Sequence, residues 1–233
     1  MTRTTNARIA GFTYLFYAAI GICIELLMHQ ARGGGSDAAK LASIGVHATD
    51  VRLEILIKLL ESFSAFVLAV TLYGITRDQD HELAMLVLVC RVAEGVLGSV
   101  NIPSYLGLLW LAKAEGGPSA PDIPTTNALR AFLMMPGPSV PIGAIFFAVG
   151  SLIFSWLLLR GRMVPVSMAW LGVLASGLLT VVLPLQLAGF STGPLTGYYQ
   201  WLPALVFQVV LGLWLLIKGV RHYEGLAARV TQV

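Results

Sequence analysis

Glu54, Lys58, Glu61, Arg91, Glu94 and Asn101 fall inside stretches that are otherwise apolar enough to cross a lipid bilayer. An ionisable side chain at bilayer depth costs roughly 2.5–3.5 kcal/mol on insertion scales, so such residues face a bundle interior or a wet cavity and mark a site. The chemistry open to them is binding and charge transfer. Glu25 and Glu61 are the expected proton or cation carriers, Arg91 an anion or carboxylate partner, and Asn101 an orienting hydrogen-bonding group. Lys58, Glu94 and Gln208 complete the expected ligand- or ion-binding set.

The spacing of these residues places them on helix faces. Arg91, Glu94, Gly98, Asn101 and Tyr105 recur at intervals of 3, 4, 3 and 4, which puts all five on one side of a helix. Glu54, Lys58, Glu61 and Ala65 follow 4, 3 and 4, and Tyr14, Ala18, Gly21 and Glu25 repeat the pattern nearer the N-terminus. Small residues on these faces, Gly21, Ala65 and Gly98, are expected to let helices approach closely. At a rise of about 1.5 Å per residue, Glu25 and Glu61 lie roughly 22–24 Å from the inner membrane edge and Lys58 roughly 27 Å. On the same scale Arg91 lies about 12–14 Å deep, and Glu94 and Gln208 about 17 Å. This gives an outer tier of Glu25, Lys58 and Glu61 and an inner tier of Arg91, Glu94 and Gln208, and it argues against a direct Arg91–Glu61 pair. If both tiers face one cavity they form a broken polar path. The competing reading is that Glu54–Lys58 and Arg91–Glu94 are intrahelical pairs that neutralise each other. Glu54 is expected at the outer headgroup level.

The elements that must hold these residues are membrane spans. The chain of 233 residues is 57% hydrophobic and 12% charged, against about a quarter charged in soluble domains. Its mean hydropathy is +0.79, and from Met163 to Ile217 it carries no Asp, Glu, Lys, Arg or His. A hydrocarbon core of roughly 30 Å needs about 20 helical residues. Six spans result, at 9–28, 52–76, 83–111, 140–159, 163–190 and 198–217, within a single all-α integral-membrane domain covering 1–233. Pro103 and Pro184 are expected to kink the two long spans. Arg3 and Arg8 before an apolar run resemble a signal peptide, but the run to Met28 is long, carries Glu25 and lacks a clear small-residue cleavage site, so it reads as an uncleaved first span.

Between the spans, residues 30–50 with Gly33-Gly34-Gly35 read as a flexible loop. Thr125-Thr126-Asn127 and the apolar residues after it read as a short capped helix at the membrane interface. Tyr198, Tyr199 and Trp201 read as an aromatic anchor. Gln186 and Gln200 are expected to make helix–helix hydrogen bonds.

Lys and Arg counting sets the orientation. Arg3, Arg8, Arg77, Arg160, Arg162, Lys218, Arg221 and Arg229 lie on the side of the N-terminus, against Arg32, Lys40, Arg52, Lys113 and Arg130 on the other. The bias puts both termini in the cytoplasm.

Several classes are excluded or disfavoured. The net charge of +3 reflects residues at span ends and no nucleic-acid module is present. Cys23 and Cys90 lie inside spans and read as small buried hydrophobes rather than a disulfide or metal pair. Asp78, Asp80, His81 and Glu82 read as a solvated turn. His-Glu-x-x-His, Gly-x-Ser-x-Gly and phosphate-binding glycine loops are absent, as is a pair of axial histidines for a haem, so no catalytic residue, metal or cofactor is assigned.

The order of several segments carries a family resemblance. Ala7-Arg-Ile-Ala-Gly-Phe-Thr-Tyr-Leu opens span one, Leu60-Glu-Ser-Phe and Leu72-Tyr lie in span two, and Arg91-Val-Ala-Glu-Gly with Asn101 lie in span three. Leu157-Leu-Leu-Arg-Gly-Arg-Met-Val-Pro precedes span five, and Leu213-Trp-Leu-Leu-Ile-Lys-Gly closes span six. In this order they resemble the bacterial "domain of unknown function 4386" family of small integral membrane proteins, over about 7–219. The resemblance implies a bundle of six or so helices in the cell membrane and no established activity. It implies polar positions at Glu61, Arg91, Glu94 and Asn101, and an acidic residue in the last span where this chain has Gln208. That departure disfavours a mechanism needing a titratable group there.

The leading expectation is therefore a lipid-embedded protein that binds or transports a small solute or ion between spans one, two, three and six. A second is a non-catalytic subunit whose buried charges specify assembly with itself or a partner membrane protein. A third is a membrane-embedded enzyme acting on a lipid or quinone.

Overall fold

The computed structural model describes residues 2–31, 37–114, 122–133, 142–190 and 197–220, with the side chains of 25–31, 37, 38, 40, 197 and 198 outside the described set. Among the described residues the chain is helical and contains no strand. The helices are α1 (Arg3–Ala31), α2 (Asp37–Val46), α3 (Ala48–Thr76), α4 (His81–Gly98), α5 (Ile102–Ala114), α6 (Ile123–Leu133), α7 (Ile142–Arg160), α8 (Val166–Leu187) and α9 (Leu202–Ile217). A 3-10 turn, Gly197–Trp201, leads into α9. Helix is the form a chain this apolar must take in lipid, because every backbone amide and carbonyl then finds its partner within the segment.

Six helical stretches are long and apolar enough to cross a membrane, and they agree with the six expected spans. They close into a ring in chain order. α1 packs on α3, α3 on α4, α4 on α7, α7 on α8, α8 on α9, and α9 returns to α1. The outer surface is apolar, with Phe12, Ile22, Leu56, Phe63, Val70, Leu174 and Val181 exposed as lipid-facing residues.

Glycines set the tightest approaches. A Cβ on Gly11 of α1 would meet the Gly212 carbonyl and the Leu216 amide of α9 at 2.6 Å each. A Cβ on Gly95 of α4 would lie 2.7 Å from Phe66 and 2.9 Å from the Ser62 carbonyl of α3, and one on Gly150 of α7 would lie 2.9 Å from Cys90 of α4. These are not the small residues expected from the polar faces. Gly21 is exposed with nothing near it, and Gly98 has room for an ordinary contact with Ser62. Ala65 alone of the three is deeply buried.

Three further expectations are corrected. The third span is two helices, α4 and α5, separated by Ser99–Asn101. Pro103 sits in the first turn of α5, where its missing amide costs nothing, but that amide cannot bond the Ser99 carbonyl and so continue α4. The expected loop at 30–50 contains α2, because Leu41 and Ile44 have an apolar surface to cover on α5 (Leu108, Leu111). Cys23 is exposed on α1, whereas Cys90 is buried as expected. Glu54, expected at the outer headgroup level, is fully buried within the protein. The short helix expected at Thr125 is present as α6 and begins two residues earlier, at Ile123.

One end of the ring gathers the arginines. Arg160 pairs with Asp80 at 3.1 Å, and Asp80 also caps α4 by accepting from the Leu83 amide. Arg3 reaches the Met163 sulfur, and Gly219 lies beside Thr4, so the start of α1 and the end of α9 share this end. The turn at Arg160-Gly161-Arg162 is as tight as expected, with Arg162 in the left-handed region at φ 46°. A layer of fully buried apolar residues, among them Leu68, Leu72, Phe154, Leu157 and Leu211, fills the ring behind it.

Candidate functional site

The polar centre of the ring is built around Arg91. Its side chain is fully buried, where an unbonded charge is costly; both terminal nitrogens find partners, while Nε bonds to no described atom. One terminal nitrogen donates to Glu94 Oε2 at 2.9 Å, one turn along α4. The other donates to Ser151 Oγ of α7 at 2.8 Å and to the Tyr14 hydroxyl of α1 at 3.2 Å. The guanidinium carbon lies 4.9 Å from the Phe147 ring centre and 5.7 Å from that of Tyr14, so aromatic faces supply further cation stabilisation. Tyr17, one turn beyond Tyr14, donates its hydroxyl to Glu94 Oε1 at 2.6 Å. Three helices are thus tied through one ion pair.

Above this network a cavity of about 290 Å³ opens between α1, α3, α4, α7 and α9. Glu94 and Tyr17 form its floor. Lys58 and Glu61 of α3 stand at its side, paired at 2.9 Å and each about a quarter exposed or less. Phe147 of α7 and Trp201 of the 3-10 turn, 6.2 Å apart between ring centres, form an apolar wall. Ser62 and Gln208 complete the polar lining. Both are only 8% exposed, and neither side chain hydrogen-bonds to another described residue.

The expected site residues are therefore distributed as follows. Lys58, Glu61, Glu94 and Gln208 line one cavity, with Arg91 immediately behind Glu94. Two members of each tier line the cavity, Lys58 and Glu61 of the outer and Glu94 and Gln208 of the inner, and Arg91 pairs with Glu94 rather than Glu61, as the depths required. Lys58 pairs with Glu61 and not with Glu54, because the i,i+3 partner lies on the cavity side. Asn101 is corrected: it sits exposed in the α4–α5 break and does not line the cavity, because the helical register that aligned it with Arg91 ends at Gly98. Glu25 lies on α1, but its side chain is outside the described residues. Trp201, expected as a lipid anchor, is a cavity wall. Gln186 and Gln200 exchange amide hydrogen bonds at 2.9 and 3.4 Å, as expected.

Tyr17, Ser62, Phe147 and Ser151 were not among the expected site residues. The available signal was spacing: Tyr17 follows Tyr14 by three, and Ser151 follows Phe147 by four on an otherwise apolar helix.

Six apolar helices in a closed ring around a buried ion-pair network define a polytopic integral membrane protein. The family model described as "Domain of unknown function (DUF4386)" matches residues 9–219, and the chain belongs to that family. No curated protein and no solved structure matches it.

Proposed function

We propose that this protein binds a small solute in the cavity between α1, α3, α4, α7 and α9, with its arginine-rich end on the cytoplasmic side of the cell membrane. The observation that carries the reading is that Lys58, Glu61, Glu94 and Gln208, drawn from three helices, line one cavity together with three aromatic rings. At about 290 Å³ it lies near the lower end of the ~300–1,000 Å³ usual for ligand pockets, and its mix of apolar wall and few polar groups is typical of them. The buried layer of Leu68, Phe154 and Leu211 lies between the polar centre and the arginine-rich end. Binding is thus one-sided in this conformation, and transport would require that layer to part.

The test is native mass spectrometry of the full chain released from gentle detergent. A stoichiometric small molecule, lost when Ala144→Leu narrows the cavity, supports the reading. A protein that carries no small molecule in either form, or that is recovered with a second polypeptide instead, overturns it in favour of an assembly role. The intrahelical closure of both ion pairs is the observation that would then matter.

A further inference from the structure

Among the described residues, the charges lining the cavity and the Arg91 behind it sum to zero. Arg91 is held by Glu94, and Lys58 by Glu61, each pair at 2.9 Å. No cation or carboxylate among the described lining residues is left to compensate a charged ligand. A net charge brought to the floor of this cavity would be desolvated without a partner, at a cost far above that of a hydrogen-bonding neutral group.

The uncompensated groups are instead uncharged. The Ser62 and Gln208 side chains line the cavity, and neither hydrogen-bonds to another described residue, so the hydroxyl and the amide are left to bond what enters it. An amide and a hydroxyl each both donate and accept. They match a head group that does the same, such as a carboxamide, alcohol or phenol. In the same cavity the tilted rings of Phe147 and Trp201 offer an apolar wall.

From these two observations we infer that the cavity takes a small uncharged amphipathic molecule. Its donor–acceptor head is held by Ser62 and Gln208, and its apolar body lies against Phe147 and Trp201. This rests on the solute-binding reading above and names the ligand class. Discrimination against charged analogues follows, because a site with no spare counter-charge rejects them by leaving their charge unpaired.

The experiment uses three probes of one size and shape: benzamide, benzoate and benzylammonium. Each is titrated against the purified full chain in mild detergent, followed by calorimetry and by the rise in unfolding temperature. Benzamide is expected to bind at least tenfold more tightly than either charged probe. Gln208→Leu, which keeps the side-chain size, is expected to weaken benzamide at least tenfold, and Ser62→Ala severalfold. Gln208→Glu is expected to reverse the order by adding one unpaired carboxylate, so that benzylammonium binds best. Preference of the unaltered chain for benzoate or benzylammonium would overturn the neutral class while leaving solute binding intact. Failure of all three probes, or benzamide binding unaffected by Gln208→Leu, would also overturn it. The mass-spectrometric result then decides independently whether solute binding itself survives.

Discussion

Tyr17 and Glu94, 77 residues apart in the chain, meet at 2.6 Å and join α1 to α4 across the polar centre of the ring. α1 and α4 are not neighbours in the ring, since α3 stands between them in the order of packing. The hydrogen bond therefore spans the bundle interior. It also fixes one carboxylate oxygen of Glu94 while Arg91 fixes the other.

Tyr17→Phe removes that hydroxyl and little else. Interhelical hydrogen bonds in membranes contribute about 0.6–1.7 kcal/mol, and one to a carboxylate belongs at the upper end. The expected loss is therefore ~1–2 kcal/mol, read as a lower unfolding temperature in detergent. No measurable loss would mean that the contact is not formed in the folded protein.

Arg91→Met leaves Glu94 as a buried carboxylate without its cation. Breaking a buried pair from one side typically costs about 3–5 kcal/mol, whereas replacing both partners by apolar groups is often neutral. The double variant Arg91→Met with Glu94→Leu should therefore recover most of the stability lost in Arg91→Met. A double variant as unstable as the single one would show that the cost lies in the lost bonds to Tyr14, Tyr17 and Ser151 and not in an unpaired charge.

Gly11→Leu and Gly212→Leu should each push α1 away from α9. The backbones meet at these two glycines, where even a Cβ on Gly11 would lie 2.6 Å from a carbonyl oxygen. Overpacking of this kind costs about 1–3 kcal/mol or more. Gly21→Leu, at a position with nothing near it, should be tolerated. Unfolding temperatures of the three variants test the packing directly.

Orientation has its own test. Single cysteines introduced at Asp78, in the α3–α4 turn, and at Asn101, in the α4–α5 break, lie at opposite ends of α4. A membrane-impermeant thiol reagent applied to intact cells, with Cys23 and Cys90 replaced by Ala, should label the Asn101 position and spare the Asp78 position. The opposite pattern would reverse the inferred topology.

Much of this protein is determined by the order of its residues. Where apolar stretches near 20 residues recur, a bilayer leaves helix as the form that satisfies the backbone, so the six spans follow from composition. Periodicity then fixes which side chains share a face of their own helix, and the pair Arg91–Glu94 follows from i,i+3 spacing; for Lys58 the same spacing left two partners, Glu54 and Glu61, and only the folded chain chose Glu61. The register fails where the helix does: Asn101 shared a face with Arg91 on paper and left it because the helix breaks before Pro103. Tertiary structure decided the rest. Period alone cannot say how far a helix is rotated toward its neighbours, and in lipid no water-driven burial distinguishes one apolar face from another. Close approach at Gly11, Gly95, Gly150 and Gly212 sets those rotations. Only then do Tyr17 and Ser151 turn inward to the Arg91–Glu94 pair, and Phe147, Trp201 and Gln208 converge on one cavity.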